Sequence, residues 1–230
     1  MTNIEPLYDK KCTCLLCHTP FTSKKVRSRF VKVKKYDSDF LPYYGDHNPL
    51  YYYINVCPSC GFSYCNDSLP AFSEEGRTAI LEKVCLNWNP HSFSNERNIE
   101  DSISTHKLAA YCAILRKDKH VTLAGFYLRI AWHYRINNCK EQESRFLNLA
   151  LYEYEQSYSI GDFRGTAISE LRVIYLIADL SKRTGKLEQA TKYYSKVIER
   201  QNKTTETQIV KLAKEGWQSM RESQQILFVD

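Results

Sequence analysis

Two short cysteine turns constrain this chain more than anything else in it: Cys14-Leu15-Leu16-Cys17 and Cys57-Pro58-Ser59-Cys60-Gly61. Each turn carries two thiols, and two such turns facing each other supply four soft sulfur ligands at about 2.3 Å from a zinc ion. Gly61 fits the reading, because the residue after such a turn often needs φ > 0, which glycine reaches without a Cβ clash. Four thiolates fill a tetrahedral shell, so one Zn2+ held by Cys14, Cys17, Cys57 and Cys60 is expected to be structural, not catalytic. The stretch between the turns is longer than in a single finger and reads as a ribbon with an insertion. Cys12, His18, His47 and Cys65 are nearby substitutes. Cys14 is preferred to Cys12 because only Cys14 has the two-residue spacing to Cys17. A redox pair would need only one turn and a βαβ context that the pattern lacks.

With 230 residues, 43% hydrophobic and 25% charged, the chain is long enough for one good core plus a smaller stapled unit. Its nine cysteines are an odd number. Cys85, Cys112 and Cys139 fall singly in segments of helical pattern, which disfavours a disulfide framework and points to a reducing compartment. The start has no basic region followed by an apolar run, and nowhere do about 18 apolar residues follow one another, so a cytoplasmic protein with no membrane partner is expected. The formal charge of +6 is divided evenly between residues 1–70 and the remainder. A mild excess of this kind says little about nucleic acid. Its distribution says more: Lys24, Lys25, Arg27, Arg29, Lys32, Lys34 and Lys35 form an acid-free run. Within it Val31 and Val33 alternate with Lys32 and Lys34, the period of a half-exposed strand.

Residues 1–70 are rich in Tyr, Pro and Cys and lack helical periodicity, which predicts a small zinc-ribbon-like β unit. Tyr51–Val56 has strand composition, and residues 37–49, with two prolines, Gly45 and Asn48, read as a loop. From Ser73, an N-cap followed by Glu74 and Glu75, the period becomes helical. Ile80, Leu81, Val84, Cys85 and Trp88 predict a helix that Asn89-Pro90 stops. Further helices are predicted at 100–117, 121–137, 141–160, 165–184, 186–201 and 205–226. The fold class is mainly α, residues 71–230 forming a helical domain after the β unit. That domain contains an internal repeat. Ile177, Ala178, Gly185, Ala190 and Tyr194 have earlier counterparts in Ile130, Ala131, Asn138, Ala150 and Tyr154, with a longer turn in the first copy. The pattern resembles the tetratricopeptide repeat, a helix–turn–helix unit of about 34 residues that stacks into a grooved superhelix. The second copy, from Leu171 to about Thr204, resembles it best, although Ser181 stands where an aromatic is usual and Asn202 where proline is usual.

Several motifs together resemble a bacterial family, Domain of Unknown Function 2225. They are Leu7-Tyr8-Asp9-Lys10, Asp37-Ser38-Asp39 followed by Pro42-Tyr43-Tyr44, Asn48-Pro49-Leu50-Tyr51-Tyr52, the second cysteine turn, and Leu123-Ala124-Gly125-Phe126-Tyr127-Leu128-Arg129-Ile130-Ala131-Trp132. Family members usually have proline after the first cysteine of each turn and glycine after the last, whereas Leu15 and His18 stand there in the first turn. The resemblance implies a bacterial cytoplasmic protein of this architecture. It supplies no activity.

Three classes of function can be weighed. A repeat scaffold usually binds a protein or peptide in its concave face. Arg172, Tyr175, Asp179 and Lys182, spaced to share one face of a helix opposite Ile174, Ile177 and Ala178, are the residues expected to line that groove. The alternative is nucleic-acid binding through the basic, aromatic unit, with Lys32, Lys34 and Lys35 as its patch. Asp37, Asp39 and Asp46 follow at once and weaken it. Catalysis ranks third: the chain has no glycine-rich phosphate loop, no Gly-x-Ser-x-Gly turn and no His-Glu-x-x-His helix, and His106, His120 and His133 read as packing or surface residues.

Overall fold

The computed structural model of the chain describes residues 4–66 and 71–227, with side chains to residue 222. Along them run six strands, β1 (Leu7–Thr13), β2 (Pro20–Val26), β3 (Val33–Tyr36), β4 (Pro42–Tyr44), β5 (Ile54–Val56) and β6 (Ser63–Cys65). Seven helices follow: α1 (Glu74–Lys83), α2 (Ile99–Arg116), α3 (His120–Ile136), α4 (Lys140–Ile160), α5 (Glu170–Arg183), α6 (Leu187–Ile198) and α7 (Thr207–Leu227). The strands pair only as three antiparallel hairpins among the described residues: β1 with β2, β3 with β4 and β5 with β6. The fold is mainly α with a small N-terminal set of strands.

Local chemistry sets the element ends. Ser73 Oγ accepts from Gly76 N at 3.1 Å and starts α1, and Asn98 with Asp101 forms a reciprocal capping box on α2. Three expectations shift. Pro49 lacks a backbone N–H, and the Asn48 side chain accepts from Leu50 N, so residues 49–52 wind into a 3-10 turn and only Ile54–Val56 remains strand. The first helix stops at Lys83, before Trp88. Residues 165–169 are not helix, because Gly161 and Gly165 both have φ of 74° and α5 begins only after Ser169, whose Oγ accepts from Arg172 N at 3.1 Å.

Two compact units emerge, and they cut across the change from strands to helices at residue 71. The first comprises the described residues of Met1–Tyr36, Pro42–Asp118 and Trp132–Cys139; the second comprises those of Asp37–Leu41, Lys119–Ala131 and Lys140–Asp230. The first unit has a core in which Cys14, Leu16, Cys57, Cys60, Phe62 and Tyr64 meet Ile80 and Val84 from the α1 region and Cys112 of α2. Strands and helices share one interior here.

In the second unit α5 is buried nearly all round: every residue from Val173 to Ser181 is buried. A helix in that state has neighbours on all sides. Its core gathers Leu171, Ile174, Tyr175 and Ala178 with Ala190, Tyr194 and Val197 of α6 and Ile209, Val210, Ala213 and Met220 of α7. The positions that correspond in sequence behave alike. Ala131, Ala150, Ala178 and Ala190 are all fully buried. Asn138 (φ 55°) and Gly185 (φ 79°) both take the left-handed conformation after a helix. Cys139 N then donates to Tyr134 O at 2.9 Å and Lys186 N to Ser181 O at 2.8 Å, the same closing bond in each case.

Close packing within this core makes Gly216 of α7 informative. A Cβ there would lie 2.5 Å from Tyr194 Oη, and that hydroxyl is held by a hydrogen bond to Asp179 Oδ1 at 3.1 Å. Alanine is worth about 1 kcal/mol over glycine in an exposed helix, whereas overpacking costs about 1–3 kcal/mol. Gly216→Ala is therefore expected to destabilise the fold, seen as a lower urea midpoint with an unchanged slope.

Candidate metal centre and partner surfaces

The two cysteine turns fold identically at the backbone. Cys14 N donates to Thr19 O and His18 N to Cys14 O in the first; Cys57 N donates to Phe62 O and Gly61 N to Cys57 O in the second. His18 (φ 59°) and Gly61 (φ 72°) hold the equivalent left-handed position. The first turn thus keeps its geometry with a side chain where glycine is easier. Gly61 has a second reason to lack one: a Cβ would run into the Trp88 ring, which is fixed over the turn by Nε1 donating to Pro58 O at 2.9 Å.

These turns bring Cys14, Cys17, Cys57 and Cys60 together, all four sulfurs lying within 4.8 Å of one another. Cys14 Sγ is 3.7 Å from Cys60 Sγ, and Cys17 Sγ is 3.6 Å from Cys57 Sγ. A tetrahedron with metal–sulfur bonds of about 2.3 Å has sulfur–sulfur edges of about 3.8 Å. Those two edges are the size a tetrahedral dication needs. Three of the four residues are buried, Cys17 alone being exposed. Their protons tell the same story: sharing with Cys60 brings the Cys14 thiol down to about 5, burial pushes Cys57 up to about 11, and Cys60 is driven up chiefly because it holds the proton shared with Cys14. Four thiolates this close require a cation between them. The group could hold one metal ion, and all four donors are protein atoms, so the shell is closed to substrate.

The substitutes fall away for visible reasons. Cys12 Sγ turns to Lys10 O and Asn55 Oδ1 at 3.7 and 3.9 Å, His18 serves as the turn residue, and His47 packs edge-on against Phe30. Cys65 is buried on β6 outside the sulfur group. Sequence spacing did not reveal Trp88 as the lid on the second turn; its only signal was a tryptophan just before a helix-stopping Asn-Pro.

The basic run divides. Lys24 pairs with Asp9 at 2.9 Å, Lys25 donates to Tyr52 O, Arg27 donates to Glu5 O at 3.1 Å and Arg29 to Ile4 O at 3.3 Å. Lys32, Lys34 and Lys35 are exposed too, Lys35 lying 4.5 Å over the Tyr43 ring, with Tyr36, 66% exposed, beside them. The half-exposed strand expected from Val31 and Val33 is corrected: β3 is exposed at every residue, because β4 covers one edge and neither face. Asp37 and Asp39 both pair with Arg183.

The groove residues bring the larger correction. Arg172 is exposed and Lys182 is half-buried, donating to Ser219 Oγ at 3.1 Å, but Tyr175 and Asp179 are 1% and 2% exposed. They do not line an open face, because the segment Asp37–Leu41 lies on it. Tyr175 Oη donates to Ser38 O at 2.8 Å, Ser38 Oγ to Asp179 Oδ2 at 3.1 Å, and Arg183 reaches Asp37 Oδ1 at 2.9 Å and Ser38 Oγ at 2.7 Å. Phe40 packs against Tyr175 with the rings tilted by 54° and their centroids 5.4 Å apart, and Arg172 lies 4.3 Å over the Phe40 ring.

None of His106, His120 and His133 belongs to the sulfur group. His106 and His133 are fully buried, with Ser102 Oγ 2.9 Å from His133 Nε2 and His106 Nδ1 2.8 Å from Ser102 O. That is an enclosed packing contact. His120 Nδ1 meets Glu153 Oε2 at 2.5 Å in the second unit. No helix among the described residues is long and apolar enough to cross a membrane.

The model of a family described as an uncharacterized protein conserved in bacteria (DUF2225) matches residues 7–220, and the chain belongs to that family. No curated protein and no solved structure matches it.

Two measurements follow from these sites. Cys57→Ser is expected to lower bound metal below one per chain by elemental analysis. A strong chelator should loosen α1 and α2 together with the strands, because their side chains share the core around the sulfurs and binding energy in such a site is folding energy. Amide exchange would show it as lost protection in both helices. Lys25, whose ammonium burial lowers to about 8, gives a pH signature. The unfolded chain binds more protons between the folded value and the ordinary lysine range, so stability should rise as pH climbs from about 8 to about 10. Lys25→Met should flatten that rise relative to the parent in urea denaturation at each pH.

Proposed function

We propose that this family member is a non-enzymatic zinc protein, working in a reducing compartment, whose helical part is a tetratricopeptide-like scaffold for a protein or peptide partner. The closed set of four sulfur donors suits zinc, which favours tetrahedral thiolate sites and leaves such a site no catalytic position. The observation that carries the scaffold reading is the segment Asp37–Leu41 seated on α5. Tyr175, Asp179, Arg183 and Arg172 already hold a turn of polypeptide, the loop between β3 and β4, through a carbonyl, a hydroxyl, carboxylates and a ring. A helix face with that chemistry is a peptide-reading face. The like helix endings at Asn138 and Gly185 support the same architecture.

Exposure of Lys32, Lys34 and Lys35 beside Tyr36 favours a second reading, contact with nucleic acid through β3. It ranks lower because the other four basic residues of the run have partners within the chain. Three phosphate contacts give a salt slope of only about −2 to −3.

Affinity purification of the tagged full chain from its native host, with and without nuclease, separates the two. Co-purification of a protein that survives nuclease is expected. Loss of everything on nuclease treatment, together with a salt slope that flattens in a Lys32→Ala, Lys34→Ala, Lys35→Ala variant, would make the lysine strand the functional surface.

A further inference from the structure

A pocket of about 280 Å³ opens in the first compact unit. Four tyrosines, Tyr43, Tyr44, Tyr51 and Tyr52, line it together with the acidic residues Asp46 and Glu96. Its walls are fixed from inside. Arg97, a buried lining residue, donates from Nη1 to Tyr51 O at 3.1 Å and to Ile54 O at 2.8 Å, and its backbone N–H donates to Tyr52 Oη at 3.3 Å. Asp46 and Glu96, by contrast, are exposed and carry no hydrogen bond or ion pair among the described residues. Neither belongs to a metal-holding group among them. Two acids on a tyrosine-lined cavity are thus left to accept from donors that a ligand brings.

Cations stand at the edge of the same pocket. Gly45, another lining residue, donates its N–H to Lys32 O at 2.9 Å, and a Cβ on it would lie 3.7 Å from Lys34 Cε. The Lys35 ammonium lies 4.5 Å over the ring of Tyr43. A bulge arranges these neighbours: Val33 pairs with Tyr44 and Lys35 with Tyr43, so Lys34 is the extra residue in the ladder. An anion alone would be repelled by Asp46 and Glu96, and a cation alone by the three lysines. A ligand with hydrogen-bond donors at one end and negative charge at the other is served by both. A nucleotide has that polarity, with a flat base between the two ends that stacks on aromatic rings. Guanine suits the acids best, because its imino N–H and its amino group lie side by side and match the two oxygens of one carboxylate.

We propose that this pocket binds a guanine nucleotide, the base among the tyrosines with its donor edge on Asp46 or Glu96 and the phosphate on Lys32, Lys34 and Lys35. The proposal rests on the second reading above, phosphate contact through β3, and adds the base site to it; it is independent of the scaffold reading. The chemistry is the same for a free nucleotide and for an unstacked unit of a single strand.

The test is calorimetric titration of the full chain with guanosine monophosphate (GMP), guanosine, uridine monophosphate and a single-stranded uridine hexamer carrying one guanine. GMP is expected to bind about tenfold more tightly than uridine monophosphate. Asp46→Asn or Glu96→Gln should erase that preference, with an unchanged urea midpoint because both side chains are exposed. Added salt, or the Lys32→Ala, Lys34→Ala, Lys35→Ala variant, should weaken GMP and leave guanosine unchanged. The hexamer distinguishes the sources: tighter binding than GMP identifies a strand as the ligand and equal binding a free nucleotide, and either supports the site. GMP bound no better than uridine monophosphate, a preference that survives Asp46→Asn and Glu96→Gln together, or GMP binding as indifferent to salt as that of guanosine overturns the proposal. Salt-dependent binding of the hexamer that ignores its guanine and both acids would overturn the base site and leave phosphate contact standing, whereas no binding of any ligand removes both.

Discussion

Mutual repulsion among four sulfur atoms is the constraint around which the first compact unit is organised. Cys14, Cys17, Cys57 and Cys60 converge to within 4.8 Å, at a point where burial already penalises charge. Without a dication the cluster has to keep protons on Cys57 and Cys60; with one, all four become ligands and the two turns are tied together. Everything packed around the turns depends on that tie. Phe62, Tyr64, Ile80, Val84 and Cys112 share the interior with the sulfurs, and Trp88 closes over Gly61. The sulfur cluster is thus the centre of a mixed core, and the strands are not an appendage clipped to separate helices.

The second unit solves a different problem. Asp179 lies on a helix that is buried on nearly every side, and a buried carboxylate needs partners. It finds three: Tyr194 Oη, Ser38 Oγ and the Arg183 guanidinium, at 3.1, 3.1 and 2.9 Å. Arg183 in turn is shared with Asp37 and Asp39. One polar network, built from residues of α5, α6 and a distant turn, lets an otherwise apolar interior contain charge. Three carboxylates, those of Asp37, Asp39 and Asp179, thus share one guanidinium.

What could be read from the residues follows the range of the interactions involved. The grouping of the four cysteines was legible because two-residue spacing is a local statement of turn geometry, and that geometry held even where His18 replaced the customary glycine. Helix faces were legible by period, so Ile174, Ile177 and Ala178 fall in the core as expected. Tyr175 and Asp179 were misjudged because period shows which residues share a face and not what covers it. The cover comes from 137 residues earlier in the chain, in the bond between Tyr175 and Ser38. Lys25 was misjudged for the same reason: nothing in an acid-free run of lysines shows that one of them ends on the Tyr52 carbonyl. The strand drawn through Tyr51 and Tyr52 was lost to a local effect that was present in the letters, the Asn48-Pro49 pair that starts a turn.

Because Asp37–Leu41 counts with the helices of the second unit while the strands on either side of it count with the first, no single cut yields either unit whole. A fragment beginning at Lys119 would carry α3 to α7 but arrive without Ser38 and Phe40, leaving Tyr175, Asp179 and Arg183 facing water. A ribosome meets the same arrangement in time. Residues 37–41 leave the tunnel long before α5 is made, so the N-terminal stretch has to wait, its aromatic ring uncovered, for the surface that will receive it. Residues 37–41 therefore gain their cover only once α5 has been made.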